Sequence, residues 1–201
     1  MMKTNNNDYL QSISKEEIEK LPIQQFNGHI EVIDKPHQVG SMIKLIENEQ
    51  VLGFDTETKP SFKKGRSNKV ALLQLSTQNQ AFLVRTSKIG LPREITLILE
   101  NPAIAKVGLA IKDDLAGLQK LKKFRPQQFI ELQSYVKDFD IQDNGLRKIA
   151  AIVLQFRILK NQQTSNWENG HLTEAQQIYA ATDAWVCRQI YEKLNHHLNE
   201  L

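Results

Sequence analysis

The residues best suited to chemistry are acidic, and the first two lie close together. Asp55 and Glu57 stand two positions apart at the end of the mostly apolar run 51–54. Because residues i and i+2 of a strand point to the same face, a strand here would present two carboxylates side by side. Such a pair is costly to bury on the core side of a strand unless a cation neutralises it. Asp55 and Glu57 are therefore a candidate metal site, although the pair alone is weak evidence.

Two further stretches place acids at helical positions. Asp113 and Asp114 follow Gly108, where a predicted strand gives way to a helix, so that one could cap the helix and the other could bind a cation. In the long final helix, Tyr179 and Asp183 are four residues apart and share one face. Each pattern also has an ordinary explanation, as a helix cap or as a surface pair.

Taken together, the three stretches predict a single chemistry. Carboxylate oxygens are the ligands that Mg²⁺ and Mn²⁺ prefer. Four carboxylates can hold two such cations about 3.5–4 Å apart, one activating water and the other stabilising a leaving oxygen. The combined pattern therefore predicts phosphodiester hydrolysis.

Charge is unevenly distributed along the 201 residues. Residues 1–57 contain ten acidic and five basic side chains, whereas 58–201 contain 13 acidic and 21 basic ones. The segments 58–93 and 144–167 hold eight and four Lys or Arg residues and no acid. Basic side chains bind phosphates by releasing counterions, although a solvated basic loop would look the same. Trp167 could stack on a base, but packing is its expected role. The candidate phosphate contacts are Lys63, Lys64, Arg66, Arg147, Lys148 and Lys160.

Several classes of protein are excluded. No run approaches the roughly 20 apolar residues that a bilayer requires, and the N-terminus lacks the apolar stretch of a signal peptide. One cysteine, Cys187, cannot form an internal disulfide. Neither a glycine-rich phosphate loop nor zinc-ligand spacing is present. We therefore expect a cytoplasmic protein without a membrane partner.

Strand patterns dominate the first half of the chain and helical patterns the second. Capping boxes at Ser14 and Thr173 predict the starts of the first and last helices. The order predicts one α/β domain on a mixed sheet over 26–201, preceded by an extension, 1–25, with a short helix. The expected strands are 29–33, 51–56, 69–77, 81–84 and 105–107, and the main helices are 35–49, 93–99, 131–138, 145–155 and 173–199, with another through 115–121.

The acidic motifs and the segments between them resemble the DEDDy family of 3′→5′ exonucleases. The segments that carry the likeness are FDTETKP, KVALLQL, KVGLAIKDDLAGL, SNW and LTEAQQIYAATDAW, in that order. The likeness runs from about 28 to 198, and it is greater to Werner-type exonuclease domains than to ribonuclease D. It implies a ribonuclease-H-like α/β fold, in which helices flank a mixed β-sheet and the C-terminal half is rich in helix. It also implies two divalent cations, Mg²⁺ or Mn²⁺, per active site.

The resemblance assigns a role to each acid. Asp55 and Glu57 fill the first motif, and Asp183 fills the last. The second motif places its aspartate six residues after a glycine, so Asp114, six after Gly108, is the implied ligand. By the same likeness, the first and last motifs hold the cation that activates water. Asp55 and Asp114 hold the cation at the leaving 3′ oxygen.

The tyrosine defines the subclass. Tyr179 matches the residue that gives DEDDy enzymes their name, and the resemblance implies that it orients the attacking water. The sister subclass has a histidine at the position that Ile178 occupies here, so this chain is not of that type. An unperturbed tyrosine has a pKa near 10 and is a poor base at neutral pH, which favours a positioning role.

The expected reaction is hydrolysis of the terminal phosphodiester bond at a free 3′ end of DNA or RNA, releasing nucleoside 5′-monophosphates. A ribonuclease D-like enzyme that trims RNA 3′ ends is one alternative. A nucleic-acid-binding module without catalysis is another. Nucleic acid with a free 3′ end is the expected partner, alongside a helicase or another nucleic-acid-processing protein.

Overall fold

A mixed sheet lies between two layers of helices in the computed structural model, which describes residues 9–60 and 68–199. Across the described residues the strand order is β1-β4-β3-β2-β5-β6. β3 runs antiparallel to both of its neighbours, and the other adjacent pairs are parallel. β2 is therefore an interior strand. The strands are β1 (His29–Ile33), β2 (Val51–Thr58), β3 (Val70–Ser76), β4 (Gln80–Val84), β5 (Ala105–Gly108) and β6 (Phe129–Glu131).

The helices bury both faces of this sheet. Those in the described residues are α1 (Lys15–Lys20), α2 (Val39–Ile46), α3 (Thr86–Ile89), α4 (Arg93–Glu100), α5 (Ile111–Leu121), α6 (Leu132–Tyr135), α7 (Leu146–Leu154) and α8 (Glu174–Asn199). Helices α2, α4 and α5 pack with Phe54 and Leu75 on one face. Helix α8 covers the other face, with α7 beside it. None of the described helices is both long and apolar enough to span a membrane.

The alternation along β2 divides its side chains between the two faces. Phe54 is fully buried in the core cluster that includes residues of α2, α4 and α5, so Gly53 and Asp55 face α8. A side chain at position 53 would collide with the carbonyl of Ala184 in α8, and glycine avoids this clash. The backbone of α8 therefore lies directly against β2, which brings the acids of the two elements together.

The predicted strands at 29–33, 51–56, 69–77, 81–84 and 105–107 are all present, within one or two residues at their ends. The region after 128 differs from the prediction. Phe129–Glu131 forms an edge strand, and the predicted helix 131–138 is a short α6 followed by a 3₁₀ turn, Val136–Phe139. A three-residue strand carries no periodic pattern, and its pairing with β5 is a tertiary contact.

The predicted helix 35–49 is also shorter. Pro36 begins a 3₁₀ turn, Pro36–Gln38, and the α-helix follows at Val39. Because proline lacks an N–H and fixes φ, it is tolerated in a first turn but cannot lie inside a regular helix.

The segment before β1 packs onto the helical layer. Ser14 and Glu17 form the predicted capping box, with N···O distances of 2.9 and 3.2 Å. Ile13 and Ile18 are buried among side chains of α7 and α8. The division of the chain into an extension, 1–25, and a domain, 26–201, stays a prediction.

Candidate active site

Three of the predicted ligands meet where β2 passes under α8. Asp55, Glu57 and Asp183 each offer a carboxylate oxygen, and these oxygens lie within 4.8 Å of one another. Alternation along β2 places the first two on one face, and the close approach of α8 adds the third. The three line a cavity of about 280 Å³ together with Tyr179 and Lys160. Hard oxygen ligands at this spacing fit a divalent cation.

Burial makes this cluster electrostatically costly. Burial, together with the charges of Asp183 and Glu57, raises the pKa of Asp55 well above its usual range. Burial likewise raises the pKa of Glu57 to about 9, and the negative charge of Asp183 adds to the effect. The pKa of Asp183 is raised by burial, although Tyr179 and Lys160 oppose the shift. In the absence of added positive charge the cluster therefore retains protons at neutral pH, and a cation would favour its ionised form.

Tyr179 lies beside these acids and is only 8% exposed. Burial and the neighbouring carboxylates Asp183 and Glu57 raise its pKa, so its hydroxyl stays neutral and can donate a hydrogen bond. The ring centroid of Trp167 is 6.0 Å away, at an interplanar angle of 34°. Trp167 is fully buried, which confirms the expected packing role. Tyr179 and Asp183 are therefore not a surface pair.

Asp114 reaches β2 from the opposite face. Its Oδ1 accepts a hydrogen bond from the Thr56 hydroxyl at 2.5 Å, and Thr56 points away from the face that carries Asp55. Asp114 is not one of the three carboxylates that converge within 4.8 Å. Its charge nevertheless raises the pKa of Asp55 and of Glu57, so it lies within electrostatic range of the cluster. Burial raises the pKa of Asp114 itself to about 6.

The start of α5 is capped by a residue that sequence reasoning missed. The Glu131 carboxylate accepts hydrogen bonds from the backbone N–H groups of Ala110 and Ile111, both at 2.9 Å. Ala110 adopts a left-handed conformation, with φ of 58°. The cap therefore comes from β6 rather than from Asp113 or Asp114, and it fixes the position of the helix that carries Asp114. A glutamate 20 residues downstream gives no local signal of this contact.

The predicted phosphate contacts occupy different surroundings. Among the described residues, Lys160 is the one Lys or Arg that lines the cavity. Lys148 is ion-paired with Asp143 at 2.7 Å, and Arg147 lies in the first turn of α7, outside the cavity lining. The remaining three, Lys63, Lys64 and Arg66, lie outside the described residues. Their contacts with nucleic acid stay a prediction.

Among the cavity residues that were not predicted, two have a sequence context that could have indicated them. Gln163 lies near Lys160, within the acid-free segment 144–167 that already indicated a binding surface. Leu109 lines the cavity immediately after Gly108, where the chain leaves β5. Parallel strands β2 and β5 end at the same edge of the sheet, so residues just beyond β5 are natural neighbours of the β2 acids.

Buried carboxylates beside a neutral tyrosine and a lysine, at the end of an interior strand, define the class of site found in hydrolases that use divalent cations. Comparison with known proteins narrows this class. A family model described as 3′–5′ exonuclease matches residues 30–199. The chain belongs to this 3′–5′ exonuclease family, and the predicted family is confirmed.

Individual relatives agree with the family. Mouse "Bifunctional 3'-5' exonuclease/ATP-dependent helicase WRN" is 31% identical over 194 residues, covering 89% of this chain. The match spans only 13% of the mouse protein. The Nibbler EXO domain of Aedes aegypti aligns with a TM-score of 0.77 and 21% identity, covering 88% of this chain and 93% of that one. Escherichia coli RNase D aligns with a TM-score of 0.74 and 21% identity, covering 86% of this chain and 46% of that one. The predicted ribonuclease-H-like mixed sheet is confirmed.

Proposed function

We propose that this chain removes nucleotides from a free 3′ end of DNA, hydrolysing the terminal phosphodiester bond to release nucleoside 5′-monophosphates. The observation that carries the proposal is the convergence of Asp55, Glu57 and Asp183 in one cavity with Tyr179. Membership of the 3′–5′ exonuclease family supports the same polarity.

The acids would hold two divalent cations, Mg²⁺ or Mn²⁺. Asp55, Glu57 and Asp183 form the first site, and Asp55 with Asp114, directly or through water, forms the second. Bound cations would lower the pKa of the attacking water and stabilise the leaving 3′ oxygen. The raised pKa of the cluster supports this proposal, because such carboxylates gain most from a neutralising charge.

Two further side chains act on the substrate. The Tyr179 hydroxyl, which keeps its proton, orients the attacking water by hydrogen bonding rather than by accepting its proton. Lys160, on the wall of the same cavity, neutralises a phosphate oxygen of the terminal nucleotide.

RNA is the alternative substrate, in which case the enzyme trims RNA 3′ ends. A protein that distinguishes the two substrates must contact the 2′-hydroxyl group. The mouse relative is by name both an exonuclease and a helicase, which supports a helicase as a partner of this chain. A cytoplasmic location is also part of this proposal.

A substrate assay tests the proposal. The protein is incubated with 5′-labelled single-stranded DNA, 3′-recessed duplex and single-stranded RNA, each with Mn²⁺ or with EDTA. We expect shortening from the 3′ end with Mn²⁺ and none with EDTA, and the faster substrate identifies the preferred nucleic acid. Equal binding in Mn²⁺ and EDTA without any shortening would instead establish a binding module.

Variants assign the activity to the site. Asp55→Ala should abolish shortening while circular dichroism shows an intact fold, because the cluster loses its central ligand. Tyr179→Phe should slow the reaction less, by about 10- to 100-fold, because it removes one hydrogen bond to water. Full activity of Asp55→Ala would refute the proposed site.

A further inference from the structure

A buried amide on β3 has no use in the proposed chemistry. Gln74 is fully buried, and neither its Nε2 nor its Oε1 has a hydrogen-bond partner within the described part of the chain. An unsatisfied buried amide costs free energy, so a glutamine at such a position calls for a physical explanation. An apolar side chain of similar size would pack there without that cost.

The register of the sheet places Gln74 next to the acidic cluster. In the antiparallel pair β2–β3, Gln74 lies directly opposite Asp55. Opposed residues point to the same face, with Cβ atoms about 4.5–5.5 Å apart. Gln74 therefore projects toward α8, as Asp55 does, and the glutamine side chain is long enough to bring its amide to the carboxylate.

The residue paired with Gln74 on its other side offers no side-chain hydrogen bond. On its second side it is paired with Leu83 of β4, which is apolar and fully buried. The part of α8 over this face contributes small apolar residues, among them Ala180 and Ala184. The charged acceptor that lies directly opposite Gln74 is the Asp55 carboxylate.

We infer that Gln74 is a positioning residue for Asp55: when a cation binds, the Gln74 Nε2–H, which has no partner among the described residues, would donate to one carboxylate oxygen and leave the other directed at the cation. The inference rests on the proposed cation site of Asp55, Glu57 and Asp183. A hydrogen bond to an ionised acceptor is stronger than one between neutral groups, so the contact is most favourable when Asp55 is ionised. Residues that orient metal ligands in this way commonly change metal affinity or activity by about 10- to 100-fold when replaced.

Direct measurement of Mn²⁺ binding tests the role without relying on activity. Free Mn²⁺ is followed by electron paramagnetic resonance during titration of the full chain, comparing wild type with Gln74→Met. We expect the variant to bind Mn²⁺ about 10- to 100-fold more weakly. Its melting temperature in EDTA should equal or exceed that of wild type, because methionine fills the same space without an orphaned amide. Mn²⁺ affinity equal to that of wild type would overturn the inference.

Ser76 supplies a matched control. Its hydroxyl is also fully buried and without a hydrogen-bond partner among the described residues, and it lies on the same face of β3 but opposite Gly53. Ser76→Ala should leave Mn²⁺ affinity within about twofold of wild type. An equal loss in both variants would show a general packing effect and contradict the positioning role.

Wild type and a second variant, Gln74→Asn, distinguish a failure of the proposed cation site from a failure of the inference about Gln74. If wild type itself binds no Mn²⁺, the proposed cation site is wrong and the inference falls with it, whereas unchanged affinity in Gln74→Met refutes the inference alone. Gln74→Asn keeps the amide but shortens the side chain by one methylene. We expect it to lose Mn²⁺ affinity as well, and this variant decides the question if Gln74→Met does not fold.

Discussion

The two sides of β2 carry acids in different physical environments. On the α8 side, Asp55 and Glu57 share a cavity with Asp183, and mutual repulsion adds to burial in raising the pKa of Asp55 and of Glu57. On the α5 side, Asp114 accepts a hydrogen bond from Thr56 that lowers its pKa, against burial and the charges of Asp113 and Glu131, which raise it. The four acids that the resemblance treats as one ligand set are therefore three mutually repelling carboxylates and a fourth that is hydrogen-bonded to Thr56 on the other face.

This difference indicates how each side depends on a cation. The α8 cluster cannot ionise fully at neutral pH without neutralising charge, because three buried carboxylates would repel one another. Asp114 already has a hydroxyl donor, and its pKa of about 6 leaves it largely ionised at pH 7. We therefore expect the α8 side to dominate cation binding and catalysis.

The strongest test compares one acid from each side. Asp183→Asn should lower kcat by about 10³-fold or more, because losing a ligand of the cluster removes several kcal/mol of transition-state stabilisation. Asp114→Asn should lower kcat by about 10- to 100-fold, because Asp114 would help Asp55 to hold the second cation from outside the cluster of three carboxylates. Single-turnover cleavage of labelled DNA in Mn²⁺ measures both variants. Equal losses of kcat in the two variants would show that Asp114 contributes as much to the reaction as Asp183 does.

A smaller effect is expected for two lysines that differ in their surroundings. Lys160→Ala should raise KM by about three- to tenfold and weaken the salt dependence of binding, because Lys160 lines the cavity. Lys148→Ala should change KM by less than about twofold, because Asp143 already pairs with that lysine. Steady-state kinetics at two ionic strengths measures both effects. A larger increase of KM for Lys148→Ala than for Lys160→Ala would instead indicate that the nucleic acid binds along α7.

The last expected effect concerns stability rather than activity, and it arises from Glu57 on the α8 side of β2. In the folded protein Glu57 holds its proton up to a pKa of about 9, whereas its value without the fold is 4.5. The folded state therefore binds more protons between these values, and the free energy of unfolding falls as pH rises through that window. In EDTA we expect the melting temperature to fall by about 10 °C between pH 6 and pH 9.

A variant and a cation provide the controls for this measurement. Glu57→Gln should reduce the pH dependence, because the titrating group is gone. Mn²⁺ should raise the melting temperature more at pH 8.5 than at pH 6, since it binds the ionised carboxylates. A melting temperature in EDTA that rises from pH 6 to pH 9 would contradict the raised pKa of Glu57.

Local spacing predicted which side chains would share a face. Alternation at 55–57 and the four-residue interval from Tyr179 to Asp183 are set by strand and helix geometry, and both pairs line the cavity. Capping at Ser14 and Thr173 was equally local and is present at both helix starts. The edge strand β6 was missed, because three residues are too few to show a periodic pattern and their pairing with β5 is a tertiary contact.

The sequence by itself determined the acidic motifs, the order of strands and helices along the chain, and the family that these indicate. Only the tertiary structure decided that Asp183 joins Asp55, that Asp114 approaches from the other face, and that Gln74 stands opposite Asp55. The physical reason is the range of the interactions. Backbone geometry relates neighbours a few residues apart, whereas these contacts join distant segments and depend on sheet register and on the close packing of α8 at Gly53.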